Sequence, residues 1–296
     1  MRIGGPAGVT EGNVAVRLRR IASVLAVAIF ALSGVIGAAT ASGSSPERDL
    51  TVMSFNIHHG AGVDGRLDLR RIADVVKTAR VDVLALQEVD RHWSERSEFV
   101  DQAAWLADAL DMHAVYGANL DRDPVEAGQP RRQYGTAILS AVPILDSENI
   151  SLPKYEGHEQ RGLLRARIVV RGTVAQIYNT HLQHNDAAER LEQAQAIKQL
   201  IAERDEPAIL LGDLNALPDA PEIRTLLEGL VDTWEAGGSG EGWTYPSQAP
   251  DRRIDYILTS ADIGTRSATV VTSDGSDHLP VRAEVLLPGA GGGQRS

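Results

Sequence analysis

Short runs of apolar residues recur along the chain and alternate with polar segments that contain glycine, proline or charged residues. The clearest run, Ala208 to Leu211, is followed by Gly212-Asp213-Leu214-Asn215, where the glycine lets the backbone turn and two polar side chains emerge. Runs of this length bounded by turn residues predict strands. The predicted strands lie at 50–57, 81–86, 134–140, 163–170, 174–181, 208–211, 254–259, 268–272 and 279–286.

Helical periodicity is clearest after two aspartates that predict N-caps. Asp68 precedes a segment whose apolar residues share one helical face, and Asp186 with Glu189 has the spacing of a capping box. The remaining polar pattern predicts helices at about 98–110 and 222–227, and loops at 120–133 and at the glycine-rich 237–242.

Many strands and few helices favour one domain in which sheets pack together with helices outside. We expect this domain to span 50–287, after a polar linker at 42–49 and before a disordered tail at 288–296. Arg171-Gly172 predicts a tight hairpin between two of its strands.

The N-terminal segment 1–41 has the layout of a secretory signal peptide. Three arginines precede an uncharged run from Ile21 to Ala41, which closes with the small residues Ala39-Thr40-Ala41. The run is also long enough to serve as a single membrane anchor with the arginines on the cytoplasmic side. In either case we expect the rest of the chain to face outward, secreted or anchored.

Composition limits the classes of partner. The chain has no cysteine, so a core rather than disulfides must stabilise it. Four of its 29 basic residues and one of its 40 acidic residues lie before position 42, which leaves 25 against 39, a net charge of −14. This surplus repels polyanions and disfavours tight, sequence-independent binding of nucleic acid.

Polar side chains stand at the ends of several predicted strands. Asp213 and Asn215 lie two residues apart, so on an extended backbone they point the same way. A carboxylate that holds or deprotonates water, beside an amide that donates to an oxyanion, is half of a hydrolytic site. An ordinary Asp-Asn turn after a strand is the structural alternative.

Other strand ends add to this pattern. Glu88 with Asn56 offers hard oxygen ligands that suit Mg²⁺, Mn²⁺ or Ca²⁺ rather than zinc, because cysteine is absent and the histidines are not at zinc spacing. Asp255 can accept from one nitrogen of His278, so that the other nitrogen faces substrate. Each residue alone also fits a structural role, but together they predict one site where a sheet gathers its strand ends.

The order of these residues resembles that of the endonuclease/exonuclease/phosphatase family, the deoxyribonuclease-I-like superfamily. The resemblance runs from about Leu50 to Leu286. It rests on Asn56, Leu86-Gln87-Glu88, Tyr134 to Ser140, Asn179-Thr180-His181, Gly212 to Asn215, Arg253 to Tyr256 and Ser276-Asp277-His278.

The resemblance implies an α/β four-layer sandwich, with two mixed β-sheets packed face to face and helices on the outside. It also implies divalent-metal-dependent hydrolysis of a phosphate ester by water that attacks in line, with Mg²⁺, or Mn²⁺ or Ca²⁺, as cofactor. Glu88 is then the principal metal ligand, Asn56 lies beside it and Asp277 lies near the metal.

The resemblance implies catalytic roles for five further residues. Asp213 would orient or deprotonate water, and Asn215 would hold a phosphate oxygen. His278 with Asp255 would polarise the phosphate or transfer a proton. His181 would stabilise the phosphate or help the leaving group.

Three further features have two interpretations or depart from the family pattern. Arg161 either clamps a phosphate with its guanidinium fork or is a solvated arginine at a strand start. His58 stands where some family members carry an acidic metal-site residue, which implies fewer metal contacts. Trp234, Trp243 and Tyr245 flank the glycine-rich loop, as packing residues or as a rim for an apolar or sugar-like substrate.

The expected function is therefore an exported, metal-dependent phosphoesterase, monomeric, acting on a small-molecule or lipid phosphate ester. A secreted nuclease is the alternative enzyme. A non-catalytic binding module on the same scaffold is the alternative outside enzymes, although the polar set is complete.

Overall fold

A computed structural model describes residues 48–289 of the protein. The predicted signal peptide or anchor at 1–41, the linker up to residue 47 and the tail from residue 290 lie outside the described residues. The strands are β1 (Arg48–Asn56), β2 (Val83–Arg91), β3 (His113–Arg122), β4 (Arg132–Ser140), β5 (Ile144–Ser151), β6 (Gly162–Val170), β7 (Thr173–His181), β8 (Ala208–Asp213), β9 (Val231–Asp232), β10 (Asp255–Thr259), β11 (Gly264–Val270) and β12 (Val281–Leu287). The helices are α1 (Leu69–Ala79), α2 (Gln102–Leu110), α3 (Ala187–Ala202), α4 (Pro221–Leu227) and α5 (Thr233–Gly237), with 3₁₀ turns at His58–Gly60 and Glu95–Ser97.

The strands form two mixed sheets of six strands each. The first has the order β11-β12-β1-β2-β4-β3, and the second has the order β5-β6-β7-β8-β10-β9. In the first sheet only β1 and β2 are parallel, and in the second only β7 and β8 are parallel. β1 begins inside the predicted linker, because Arg48 pairs with Leu287 at the end of β12.

Apolar side chains define four layers. Both sheets contribute to the layer between them, which is centred on Val52, Val83, Ile177, Ile209 and Leu211. α1 and α2 cover the outer face of the first sheet through Ile72, Val76 and Leu106. α3 and α4 cover the second sheet through Ala194, Ile197, Ile223 and Leu226. The predicted helix–sheet–sheet–helix sandwich is confirmed.

Capping residues begin the helices largely where the sequence predicts. Asp68 accepts from Arg70 N, and Asp186 accepts from Glu189 N at 3.0 Å. The capping box is not reciprocal, because the buried Glu189 carboxylate instead contacts His158 and Gln193. Every helix of the described part is too short or too polar to cross a membrane.

Two of three local predictions differ from the structure. The predicted loop at 120–133 is shorter, because β3 continues to Arg122 and β4 begins at Arg132. α2 begins at Gln102 instead of residue 98, since Glu98 and Phe99 have positive φ angles of 52° and 54° that no α-helix accepts. The predicted hairpin at Arg171-Gly172 is present.

A buried polar link joins the two sheets below one edge. Gln87 of β2 donates from Nε2 to Asn179 Oδ1 of β7 at 2.7 Å. Asn179 Nδ2 in turn donates to the carbonyl oxygens of Leu86 and Ala137, both at 2.8 Å. All these groups are enclosed, so their polar atoms depend on one another for hydrogen bonds.

Candidate active site

Strand register brings the predicted polar residues to one edge of the sandwich. In the second sheet, His181 is paired with Asp213 across β7 and β8, and Asp213 is paired with Asp255 across β8 and β10. In the first sheet, Asn56 ends β1, and Ser276 Oγ donates to its carbonyl at 2.7 Å, which fixes the segment that carries His278. The register of the paired strands and the positions at which they end therefore bring these side chains together.

A cavity of about 740 Å³ opens at this edge. Seven of the nine predicted site residues line it, while Asn56 and Asp255 lie buried beneath it. Its lining also includes residues that the sequence did not single out as a site. The full lining is Glu88, Tyr134, Glu159, Arg161, His181, His184, Asp213, Asn215, Leu217, Tyr245, Asp251, Arg252, Ile254, Asp277 and His278.

Gly212 is required for space rather than for a turn. It lies inside β8, and a Cβ at this position would approach Thr180 O to 2.3 Å. The predicted turn comes three residues later, at Asn215, which has a positive φ of 48°. Asn215 therefore has a left-handed backbone conformation, and its side chain lines the cavity. Its Nδ2 donates to Leu182 O at 3.1 Å.

Asp213 is the centre of the polar network. Its Oδ2 accepts from Asn56 Nδ2 at 3.0 Å, and its Oδ1 accepts from the Asn215 backbone N–H at 3.0 Å. Burial and the charge of Asp255 raise the pKa of Asp213 to about 7. Near neutral pH this carboxylate can therefore both accept and release a proton.

His278 and His181 flank Asp213 and differ in charge. His278 Nδ1 lies 2.9 Å from Asp255 Oδ2, and its Nε2 lies 3.7 Å from Asp213 Oδ2. Burial opposes protonation, but the carboxylates of Asp255 and Asp213 raise the pKa of His278 to about 10. His181 Nε2 lies 3.4 Å from Asp213 Oδ2, and burial and the Arg161 charge hold its pKa well below the usual value. At neutral pH His278 is thus an imidazolium and His181 a neutral imidazole.

Glu88 and Asp277 each offer a carboxylate, the ligand type of divalent cations, in the same cavity. Both line the cavity, and Glu88 sits at a bulge of β2 with a positive φ of 57° that directs it there. Carboxylate oxygens are the ligands such cations take. Asn56 presents its amide nitrogen, not its oxygen, to Glu88 Oε1 at 3.1 Å, while Asn56 Oδ1 accepts from His58 N at 3.0 Å. Asn56 could bind the same cation only after its amide turned over.

Arg161 is buried rather than solvated, with 3 % of its surface exposed. Its Nη1 lies 2.9 Å from Glu159 Oε1 and its Nη2 lies 3.4 Å from His184 Nδ1. Its Nε has no hydrogen-bond partner in the described part of the chain. A buried guanidinium in a cavity wall is suited to hold an anionic group.

Several residues outside the nine predicted site residues lie at or beside the cavity. Tyr245 lines the cavity with its ring 4.7 Å from that of His278, whereas Trp234 and Trp243 line a separate depression. His58 and His59 lie beside Glu88, and burial and the charge of Arg96 lower the pKa of His59 to about 4. Their adjacency in the sequence was the available signal, but linear spacing does not reveal a shared site with Glu88.

Comparison with known proteins places this geometry in a family. Residues 53–278 match the model of the Endonuclease/Exonuclease/phosphatase family. The chain is 28% identical over 254 residues to the uncharacterized protein YbhP of Escherichia coli K12, covering 80% of this chain and 96% of YbhP. It is also 28% identical over 206 residues to the 5'-tyrosyl-DNA phosphodiesterase of Caenorhabditis elegans, covering 64% of this chain and 49% of that protein.

Solved structures agree with the match. The crystal structure of an endonuclease/exonuclease/phosphatase from Beutenbergia cavernae DSM 12333 superposes with a TM-score of 0.72 at 27% identity, covering 82% of this chain and 72% of that one. The matched residues include eight of the nine predicted site residues between Asn56 and Asp277 and end on the ninth, His278. The chain belongs to the endonuclease/exonuclease/phosphatase family.

Proposed function

We propose that the chain is an exported, divalent-metal-dependent phosphoesterase that hydrolyses a small-molecule or lipid-borne phosphate ester by in-line attack of water. One observation carries the proposal: a buried carboxylate with a pKa of about 7, Asp213, lies between a cationic and a neutral histidine at the floor of a cavity that also contains Glu88 and Arg161. Members of the family are hydrolases of phosphate esters.

Each residue has a distinct task in this reaction. Asp213 accepts the proton of the attacking water, because its pKa lies near the working pH. His278 keeps a positive charge and directs Nε2 into the cavity, where it donates to a phosphate oxygen as negative charge develops. Arg161 holds a second phosphate oxygen. Glu88 and Asp277 would hold a divalent cation, which would supply Lewis-acid stabilisation as the ester P–O bond breaks and the leaving oxygen takes a proton from water.

Charge and cavity shape support the substrate class. The acidic surplus of the chain disfavours long polyanions, and the cavity of about 740 Å³ has the volume of a small-molecule site. The tyrosyl-DNA phosphodiesterase relative supports the alternative, a nuclease acting on a nucleic-acid phosphodiester. The proposal of export rests on the pattern of residues 1–41. It is tested by determining whether the N-terminus of the protein isolated from its host is cleaved or retained.

The purified full chain should be assayed with Mg²⁺, Mn²⁺ or Ca²⁺ on plasmid DNA, RNA, a generic phosphodiester, sphingomyelin and inositol phospholipids. His278→Ala serves as the inactive variant, and Asp108→Asn, on the exposed face of α2, serves as the matched control. Turnover of a lipid or small ester that His278→Ala abolishes supports the proposal. Digestion of plasmid alone identifies a nuclease. No turnover of any ester favours the binding module.

A further inference from the structure

Two neighbouring histidines share a small volume with the carboxylate of Glu88. One ligand atom from each of His58, His59 and Glu88 lies within 4.8 Å of the others. We infer that these three residues form a divalent transition-metal site with two imidazole nitrogens and one carboxylate oxygen. The existence of this site does not depend on the proposed function. Only the catalytic use of a cation bound at Glu88 rests on that function.

The turn that carries the histidines is fixed from both sides. Asn56 Oδ1 accepts from the His58 backbone N–H at 3.0 Å. The buried Gln102 donates from Nε2 to His59 O at 2.6 Å and accepts from Asp90 N at 2.9 Å. These bonds tie the turn to the end of β2, the strand that supplies the carboxylate. Both histidines are held with φ angles of 44° and 46°, a left-handed conformation that non-glycine residues adopt rarely.

The donor atoms are available for a ligand. His59 Nδ1 is enclosed and lacks a hydrogen-bond partner among the described residues. His58 Nδ1 lies 3.7 Å from Asp277 Oδ1, too far for a hydrogen bond. Glu88 Oε1 accepts from Asn56 Nδ2, a contact of the kind that orients a metal-binding carboxylate.

The nearby positive charge is already balanced. Arg96, whose charge acts on His59, binds Asp90 through two hydrogen bonds of 2.7 and 2.8 Å. Imidazole ligands favour Fe²⁺ or Zn²⁺ over Mg²⁺, Mn²⁺ and Ca²⁺, whose preferred ligands are oxygen atoms. The site would therefore favour Fe²⁺ or Zn²⁺, in contrast to the oxygen-ligated Mg²⁺, Mn²⁺ or Ca²⁺ that the sequence predicts, and nitrogen coupling to a Mn²⁺ probe distinguishes the two ligand sets.

The test uses the full chain, freed of metal with a chelator and titrated with Mn²⁺ in the absence of substrate. Pulsed electron paramagnetic resonance should detect ¹⁴N couplings from bound imidazole in the unmodified chain. His58→Ala and His59→Ala should each weaken Mn²⁺ binding by about tenfold or more and remove one nitrogen coupling. His113→Ala, at an exposed position of β3, is the matched control and should change neither.

Bound Mn²⁺ without nitrogen coupling in the unmodified chain would overturn the inference, and that measurement needs no folded variant. Displacement of Mn²⁺ by an equal concentration of Mg²⁺ would also overturn it. Hydrolysis of an ester by a chain whose bound Mn²⁺ shows no nitrogen coupling would refute this site and leave the proposed function intact. Nitrogen-coupled Mn²⁺ without hydrolysis of any ester would support the site and refute the proposed function.

Discussion

Replacing Asp255 by asparagine removes one negative charge and preserves the size of the side chain. Asp255 lies buried against His278 Nδ1 at 2.9 Å, and an asparagine Oδ1 can accept the same hydrogen bond. The variant therefore isolates the charge of Asp255 from its shape. We expect it to alter the protonation of both of its neighbours, His278 and Asp213.

The magnitude follows from the pKa values. The difference between 6.5 and about 10 for His278 corresponds to roughly 5 kcal/mol of net stabilisation of the imidazolium, to which Asp255 is the largest favourable contributor. Without that charge, burial is opposed only by Asp213 and Asp277, so the pKa of His278 should fall well below 10. At alkaline pH, where the unmodified chain keeps its charged donor to the phosphate, a growing fraction of the variant then lacks it, and kcat should fall toward the roughly 100-fold loss expected for a missing donor.

The assay is the pH dependence of kcat and KM between pH 5 and 11. The unmodified chain should show a rising limb near pH 7, from Asp213, and a falling limb near pH 10, from His278. In Asp255→Asn both limbs should move to lower pH, because the Asp255 charge raises both pKa values. KM should change much less than kcat. A falling limb that stays near pH 10 would refute the role of Asp255, and Asp108→Asn should leave the profile unchanged.

Stability supplies an independent measurement. The pKa of His278 is raised on folding, so its contribution to the free energy of unfolding is complete below pH 6.5 and is lost as the pH rises to about 10. Urea unfolding of the unmodified chain should show this decline. In Asp255→Asn the decline should be smaller and should occur at lower pH, and an identical decline in both proteins would contradict the pairing.

Three further variants test other parts of the molecule. Glu88→Gln should lower metal-stimulated kcat/KM by roughly 1,000-fold, since Lewis-acid stabilisation is worth several kcal/mol; retention of metal stimulation would remove Glu88 from the cation site. Arg161→Lys should raise KM roughly tenfold, the effect of losing one charge-assisted hydrogen bond of about 1.5 kcal/mol; an unchanged KM would show that Arg161 does not contact substrate. Asn179→Ala should lower the free energy of unfolding by roughly 2–5 kcal/mol in urea, because Leu86 O and Ala137 O lose their donor; a change below about 1 kcal/mol would mean that water replaces it.

The central strands were predictable because burial on both faces produces continuous apolar runs, as at Ala208 to Leu211. The strand at His113–Arg122 was missed because it forms an edge of the first sheet and is half-exposed or exposed at nine of its ten positions, so its side chains show no clear alternation. Ile144–Ser151, the edge of the second sheet, was missed for the same reason. Edge strands obtain their conformation from the neighbour with which they pair, which a local pattern does not contain.

Site residues at strand ends were predictable in position but not in charge state. Nothing in the spacing of Asp213 and His278 indicates that burial raises the pKa of the first, or that two carboxylates raise that of the second. In the proposed reaction, these values favour phosphate polarisation over proton transfer for His278 and favour proton transfer for Asp213. His58 and His59 were undervalued because only the fold brings their turn against the bulge at Glu88.

The pairing of Arg48 with Leu287 determines how the protein can be attached to a surface. Asn56 stands at the other end of the nine-residue strand that Arg48 begins, so at about 3.3 Å per residue roughly 26 Å separate that first residue from the edge with the cavity. An affinity tag or a bead attached directly at Arg48 or Leu287 would join the domain at the end of β1 opposite Asn56. A small molecule could then approach the cavity of the immobilised domain from the side opposite the attachment point.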